Sequence, residues 1–319
     1  MPALPLKSLP IFPFLWLRTG NREGNGAGQM QQDWRTQGGG GHISVADVRA
    51  HPDFEAAKAL LIDGLAGLYR HDRRLRTLIE YERGVTFMLI VSLDAMHEPD
   101  SPERGVSMSL LNEILPGMGI APGRRIVDLV TNLRLDNLLE SFRSPRDGRV
   151  RLLRAGPRAV AADCEWLAVF HAPLQVLQPD VDYRPALEHE RGYQRAFRIA
   201  GLKTLGIANE IMSANPPMDY FVQESVGFRV LMILMQAIRG DAGGRTPPGF
   251  YSHAAEQGGV SRTHVKNVLG AAAQRGFVAL SARPGDYVEV LPVLRQAFDR
   301  WVAESLSTID RVRASSEWP

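Results

Sequence analysis

Cysteine is almost missing from this chain: Cys164 stands alone among 319 residues. A lone thiol excludes an internal disulfide framework and any zinc site built on a cysteine cluster, and it points to a reducing cytoplasm. A strong bias of charge is missing too, since 37 Lys and Arg nearly balance 35 Asp and Glu. That balance neither demands nor forbids nucleic acid, so the distribution of charge has to decide. The apolar N-terminal stretch around LPIFPFLWL is interrupted by prolines and lacks a small-residue cleavage site, which reads as neither a signal peptide nor a membrane span. Catalytic signatures are absent as well. The glycine-rich GNGAG at 24–28 and GDAGG at 240–244 are not followed by the Lys-Ser/Thr of a phosphate-binding loop, there is no G-x-S-x-G elbow, and the histidines form no pair at metal-ligand spacing. The expectation is therefore no catalytic residue, no metal ligand and no cofactor.

What is present is ordinary globular composition, 45% apolar and 23% charged, at a length usual for two domains. Residues 1–41, rich in Gly, Gln and Asn towards a GGGG run, read as a disordered leader, with Met30 as an alternative start.

The stretch VSRTHVKNVLGAAAQRG at 260–276 carries the most information. Val265, Val268, Leu269, Ala272 and Phe277 recur at helical spacing and make a buried stripe. Ser261 is the expected N-cap and Gly276 the expected C-cap. The opposite face holds Arg262, Thr263, Lys266 and Asn267, side chains that reach phosphates and base edges in a major groove. Before it, PGFYSHAAEQGG at 248–259 supplies a short helix and a break; after it, FVALSA, a Pro-Gly-Asp turn and VEVL read as a hairpin with Arg283 at its tip.

With the apolar helix at 227–238 and a helix from Pro292, residues 226–312 resemble a MarR-type winged helix-turn-helix. The resemblance implies a sequence-specific transcriptional regulator on double-stranded DNA, dimeric, answering to a small aromatic or oxidant signal. It also implies an effector pocket between the dimer helices and the DNA-binding lobes, near Trp166, Tyr193, Phe197 and Trp301, aromatics that equally suit a core.

The same order of elements occurs once before, offset by about 140 residues. RGVTFMLIVSLDAM at 83–96, SMSLLNEILPGMG at 107–119 and the stripe Ile126, Leu129, Val130, Leu133 precede a hairpin around Asp147-Gly148 and a helix opened by Pro157; Pro122 fits the first turn of the helix that carries the stripe. FEAAKALLIDGLAGLYR at 54–70 and the stretch 193–211 read as the two leading helices. The fold class expected is mainly α with small β-wings: two tandem winged helix-turn-helix modules, a degenerate one at 42–180 and a second at 181–319, forming an intramolecular pseudo-dimer. Such a chain acts as a pseudo-dimeric monomer or a homodimer.

The two copies differ in chemistry. Opposite Lys266 and Asn267 the first copy has Val127 and Asp128, a poorer reading face, although Arg124 and Arg125 open its helix. Its hairpin is strongly basic, with Arg143, Arg146, Arg149 and Arg151 followed by Arg154 and Arg158 against one Asp147. Copy two is expected to read sequence while the first hairpin grips phosphates. Cys164, flanked by Asp163 and Glu165 on an apolar helix, reads as a buried, inert thiol. A plasmid-type replication initiator and a winged-helix scaffold without DNA contact are the alternative readings.

Overall fold

The computed structural model describes residues 41–98, 101–102, 104–120, 123–204, 211–281 and 287–318. The expected leader at 1–40, Pro122 and the hairpin tip with Arg283 lie outside them. Within the described residues the chain is mainly helical with small antiparallel sheets.

Helix α1 (Val45–Ala50) starts at Ser44, whose hydroxyl accepts from the Asp47 amide, and leads into α2 (Phe54–Gly67). The expected helix at 54–70 ends early because Tyr69 adopts a left-handed φ of 57°, which no α-helix tolerates. A 3₁₀ turn, Leu75–Ile79, precedes α3 (Tyr81–Ala95). Strand β1 (Val106–Ser107) then runs straight into α4 (Met108–Gly117), because Ser107 is both the last strand residue and the N-cap, accepting from Leu110 N at 3.2 Å. Helix α5 (Gly123–Leu135), strands β2 (Leu139–Arg143) and β3 (Arg151–Ala155), and α6 (Pro157–Leu177) complete this half. The central strand is β3, in the order β1-β3-β2, with Val106 opposite Leu153 and Arg143 opposite Arg151.

The second half begins with α7 (Arg184–Leu187) and α8 (Arg191–Gly201), the latter tightening into a 3₁₀ turn at Leu202–Thr204; the rest of the expected helix at 193–211, from 205 to 210, lies outside the described residues. It continues with α9 (Pro216–Gln223), α10 (Gly227–Ala237), α11 (Phe250–Gly258), α12 (Arg262–Gln274), β4 (Val278–Leu280), β5 (Val288–Val290) and α13 (Pro292–Ser315). An isolated bridge between Arg245 and Glu289 joins the free edge of β5, where β1 joins β3 in the first half. Pro157 and Pro292 both occupy the first turn of their helices, where a missing N–H costs nothing.

The halves are not side by side but exchanged. Helix α2, at the start of the chain, packs on α10 of the second half as well as on α6, while α8 packs on α3 of the first half and α13 reaches back to α1. Buried apolar side chains form one continuous core across both halves, each large one worth about 1.5–3 kcal/mol. Polar ties reinforce the exchange. Asp63 on α2 accepts from Gln236 at 2.6 Å and from Arg239 Nη1 at 2.7 Å. Arg195 on α8 donates to the carbonyls of Ala95 at 3.0 Å and His97 at 3.3 Å. Asp310 on α13 accepts from the Ile43 amide and from Tyr183 Oη, each at 2.7 Å. Among the described residues no helix is long and apolar enough to cross a membrane.

Candidate nucleic-acid interface

Helix α12 forms where the caps and stripe say it should. Ser261 Oγ accepts from the His264 amide at 3.1 Å, and Val265, Val268, Leu269 and Ala272 are all buried. At the far end the amides of Gly276 and Phe277 donate to the carbonyls of Ala273 and Ala272, both at 3.0 Å, with Gly276 at φ 74°. That is a Schellman closure, so Gly276 sits one residue beyond the cap, which is Arg275.

The turn ahead of α12 is closed the same way. Gly259 has φ 68°, and the Val260 amide donates to Ala255 O at 3.0 Å. The first half repeats both closures: Gly119 at φ 68° with Ile120 N on Leu115 O, and Asn137 at φ 59° with Leu138 N on Leu133 O, each bond 3.0 Å. Asn serves at the second place because its short polar side chain tolerates the left-handed region.

Three contacts that the amino-acid pattern does not reveal hold α12 in place. His264 Nε2 lies 2.7 Å from the Ser225 carbonyl, Tyr220 Oη donates to Val268 O at 2.6 Å, and the Arg275 guanidinium covers the Tyr220 ring at 4.5 Å. Burial pushes the Tyr220 hydroxyl up to about 12, so it remains a donor. Spacing alone could have flagged His264, which sits between the buried and exposed faces.

The outward face carries Ser261, Arg262, Thr263, Lys266 and Asn267, all exposed. Among the described residues the side chains of Arg262, Thr263, Lys266 and Asn267 have no hydrogen-bond partner. Two cations, a hydroxyl and a carboxamide thus stand on one helix surface, the set that can donate to phosphates and pair with base edges.

The corresponding face of α5 differs. Arg124 and Arg125 are exposed, but Arg125 Nε is held by Glu82 at 2.9 Å. Val127 and Leu135 are 49% and 69% exposed, beside Asp128, Thr131 and Asn132.

The arginine-rich hairpin connects β2 to β3 through a seven-residue loop, Ser144 to Val150. The expected turn at Asp147-Gly148 forms inside this longer loop, closed by Val150 N on Asp147 O at 2.9 Å without Gly148 entering the left-handed region, and side chains shape the rest. Ser144 Oγ accepts from Arg146 N at 3.3 Å and Asp147 Oδ1 from Arg149 N at 2.9 Å. Arg143, Arg146, Arg149 and Arg151 are exposed here. Arg154 and Arg158 are not part of this surface. The Arg154 guanidinium lies 4.5 Å over the Phe142 ring, and Arg158 bonds Asp72 at 2.5 Å and the Asp136 carbonyl at 3.1 Å. Both are engaged with neighbouring groups, Arg154 on the face of β3 opposite the buried Leu153 and Ala155 and Arg158 in the first turn of α6, a distinction that a count of arginines does not make.

Of the four aromatics near the expected effector pocket, two line a cavity and two do not. Trp166 and Trp301 face an apolar cavity of about 240 Å³ between the halves. Tyr193 and Phe197 pack edge-on against His171 in the core. Cys164 is buried, and burial first, with Asp163 second, pushes its thiol up to about 11. No group of three or more His, Cys, Asp or Glu able to hold a metal occurs among the described residues. No family model, no curated protein and no solved structure matches this chain.

Proposed function

We propose that this protein is a sequence-specific DNA-binding regulator built from two fused winged helix-turn-helix modules. The observation that carries the reading is the exposed, unpartnered set Arg262, Thr263, Lys266 and Asn267 on a helix capped at both ends and set behind a glycine turn. The recurrence of both Schellman closures, and of a third edge partner on each hairpin, supports a duplicated module. In this reading α12 reads bases while Arg143, Arg146, Arg149 and Arg151 track phosphates.

Selection from random duplexes by the purified chain tests it. An enriched motif is expected, and its loss in a Lys266→Ala, Asn267→Ala double variant that still binds DNA weakly. Arg146→Ala with Arg149→Ala is expected to weaken binding to every sequence and flatten the salt slope by about one to two units. Absence of any enriched motif would overturn the proposal. Promoter enrichment among genomic fragments would mark a regulator; iterated repeats would mark a replication initiator. The exposed Val127 and Leu135 favour a second reading for the first module alone, contact with a protein rather than with bases.

A further inference from the structure

Gly259, in the turn that leads into α12, has no side chain, and the Arg76 guanidinium of the first half lies where one would stand. A Cβ there would be 2.6 Å from Arg76 Nη1 and 3.8 Å from its Cζ; its chain neighbours aside, nothing else among the described residues comes within 4 Å. Arg76 is itself held. Its Nη2 donates to the Arg70 carbonyl at 2.9 Å, and its own carbonyl accepts from Arg229 Nη2 of α10 at 3.0 Å. The segment that carries it is tied down in turn. Asp72 Oδ1 accepts from the amides of Arg74 at 2.9 Å and Leu75 at 3.3 Å, and Asp72 Oδ2 from Arg158 Nη2 of α6 at 2.5 Å. Arg70 adds a second contact across the halves, Nη1 to Gln257 Oε1 of α11 at 3.4 Å.

The reverse arrangement is missing. Among the described residues no hydrogen bond or ion pair ties α4 or α5 to the second half, and Arg125 of α5 turns instead to Glu82 of its own half. The helix with the better reading face is thus the one whose entry turn the opposite half supports. That turn fixes where α12 begins and hence how Arg262, Thr263, Lys266 and Asn267 are presented. Side chains in a binding constellation work only when held within about 0.5 Å of their productive places. A guanidinium bonded at its own end and seated on backbone is a stiff support.

We propose that the first half braces the reading helix of the second: Arg76, seated on Gly259 and steadied by Arg70 and Arg229, is a positioning residue for α12. Its consequence for base reading rests on the DNA-binding proposal above. It gives the first half, whose own reading face is poor, a task that needs no base contact.

Amide exchange of residues 260–268 in the DNA-free full chain, followed by mass spectrometry, tests the brace without DNA. Arg76→Ala is expected to speed it about two- to tenfold, as the loss of one hydrogen bond would. Arg73→Ala removes the same charge from an exposed neighbour that does not reach Gly259, and it leaves exchange as in the parent. If Arg76→Ala does not fold, Arg76→Met keeps the stem without the guanidinium and carries the same expectation. On a duplex motif that the parent selects, the Arg76 variant is expected to lose preference over an unrelated duplex by a similar factor, with affinity for the unrelated duplex unchanged. Exchange at the parent's rate, or equal acceleration in Arg73→Ala, would overturn the brace. Equal losses on both duplexes would overturn the positioning role. A parent that selects no motif would sink the DNA reading alone, since the exchange rates still decide whether Arg76 braces α12.

Discussion

Asp163 lies fully buried on α6, and its carboxylate is satisfied by Arg198 through Nε at 2.9 Å and Nη2 at 2.5 Å and by Gln194 at 2.6 Å. Replacing Arg198 by Met leaves that buried charge with only the neutral Gln194 amide, an expected loss of about 3–5 kcal/mol, whereas Asp163→Leu with Arg198→Met together should cost far less. Urea midpoints of the three proteins check this. His171 gives a pH dependence of known sign. Its Nδ1 donates to Leu167 O and its Nε2 accepts from Tyr193 Oη, both at 2.7 Å, and burial pulls its pKa from the usual 6.5 down to about 4. Below pH 6.5 the unfolded chain takes up a proton that the folded one refuses. Stability from this group is therefore complete above about pH 6.5 and declines as pH falls towards 4. Midpoints measured from pH 7 to 5 should fall in the parent and fall less steeply in His171→Gln. Neither Asp163 nor His171 stands out in the amino-acid pattern, because helical spacing marks which face is buried and says nothing of which polar residue finds a partner there. Cys164 was legible, since its acidic neighbours and apolar helix already argue for a raised thiol.

At the scale of elements, α11 and α12 were readable from Ser261, the glycine pairs and the buried stripe, all of them local signals. Strand β1 was not: two residues are too few to display alternation, and Ser107 looks like a helix start because it is also one. In the loop from Ser144 to Val150 the Asp147-Gly148 turn was legible, Val150 N donating to Asp147 O at 2.9 Å, but the length of the connection around it was not. Gly259 is the most exacting position of the helix pair. A Cβ there would meet the left-handed penalty of about 1–2 kcal/mol as well as the Arg76 guanidinium. Gly259→Ala is thus expected to lower the thermal midpoint and, in the proposed DNA-reading role of α12, to weaken binding beyond what Ser261→Ala does, a capping loss of about 1 kcal/mol. Equal effects from the two substitutions in melting and gel-shift titrations would contradict this account of the turn.

Over the whole molecule the recurring order of elements was legible, but the exchange of helices between halves was not. Packing partners such as α2 with α10, or Asp63 with Arg239, are far apart in the chain and leave no periodic trace. The consequence can be tested with two fragments, 42–180 and 181–319. Each alone exposes the apolar faces that the other covers, so neither should melt cooperatively, and a mixture should recover a cooperative transition in circular dichroism. The exchange has one more result. Because α1 and α13, or α3 and α8, belong to one covalent chain, their association has no dissociation constant against dilution; each half meets its counterpart at a fixed effective concentration set by the chain itself. Whatever this fold recognises, it does so with a stoichiometry of halves that cellular abundance cannot alter.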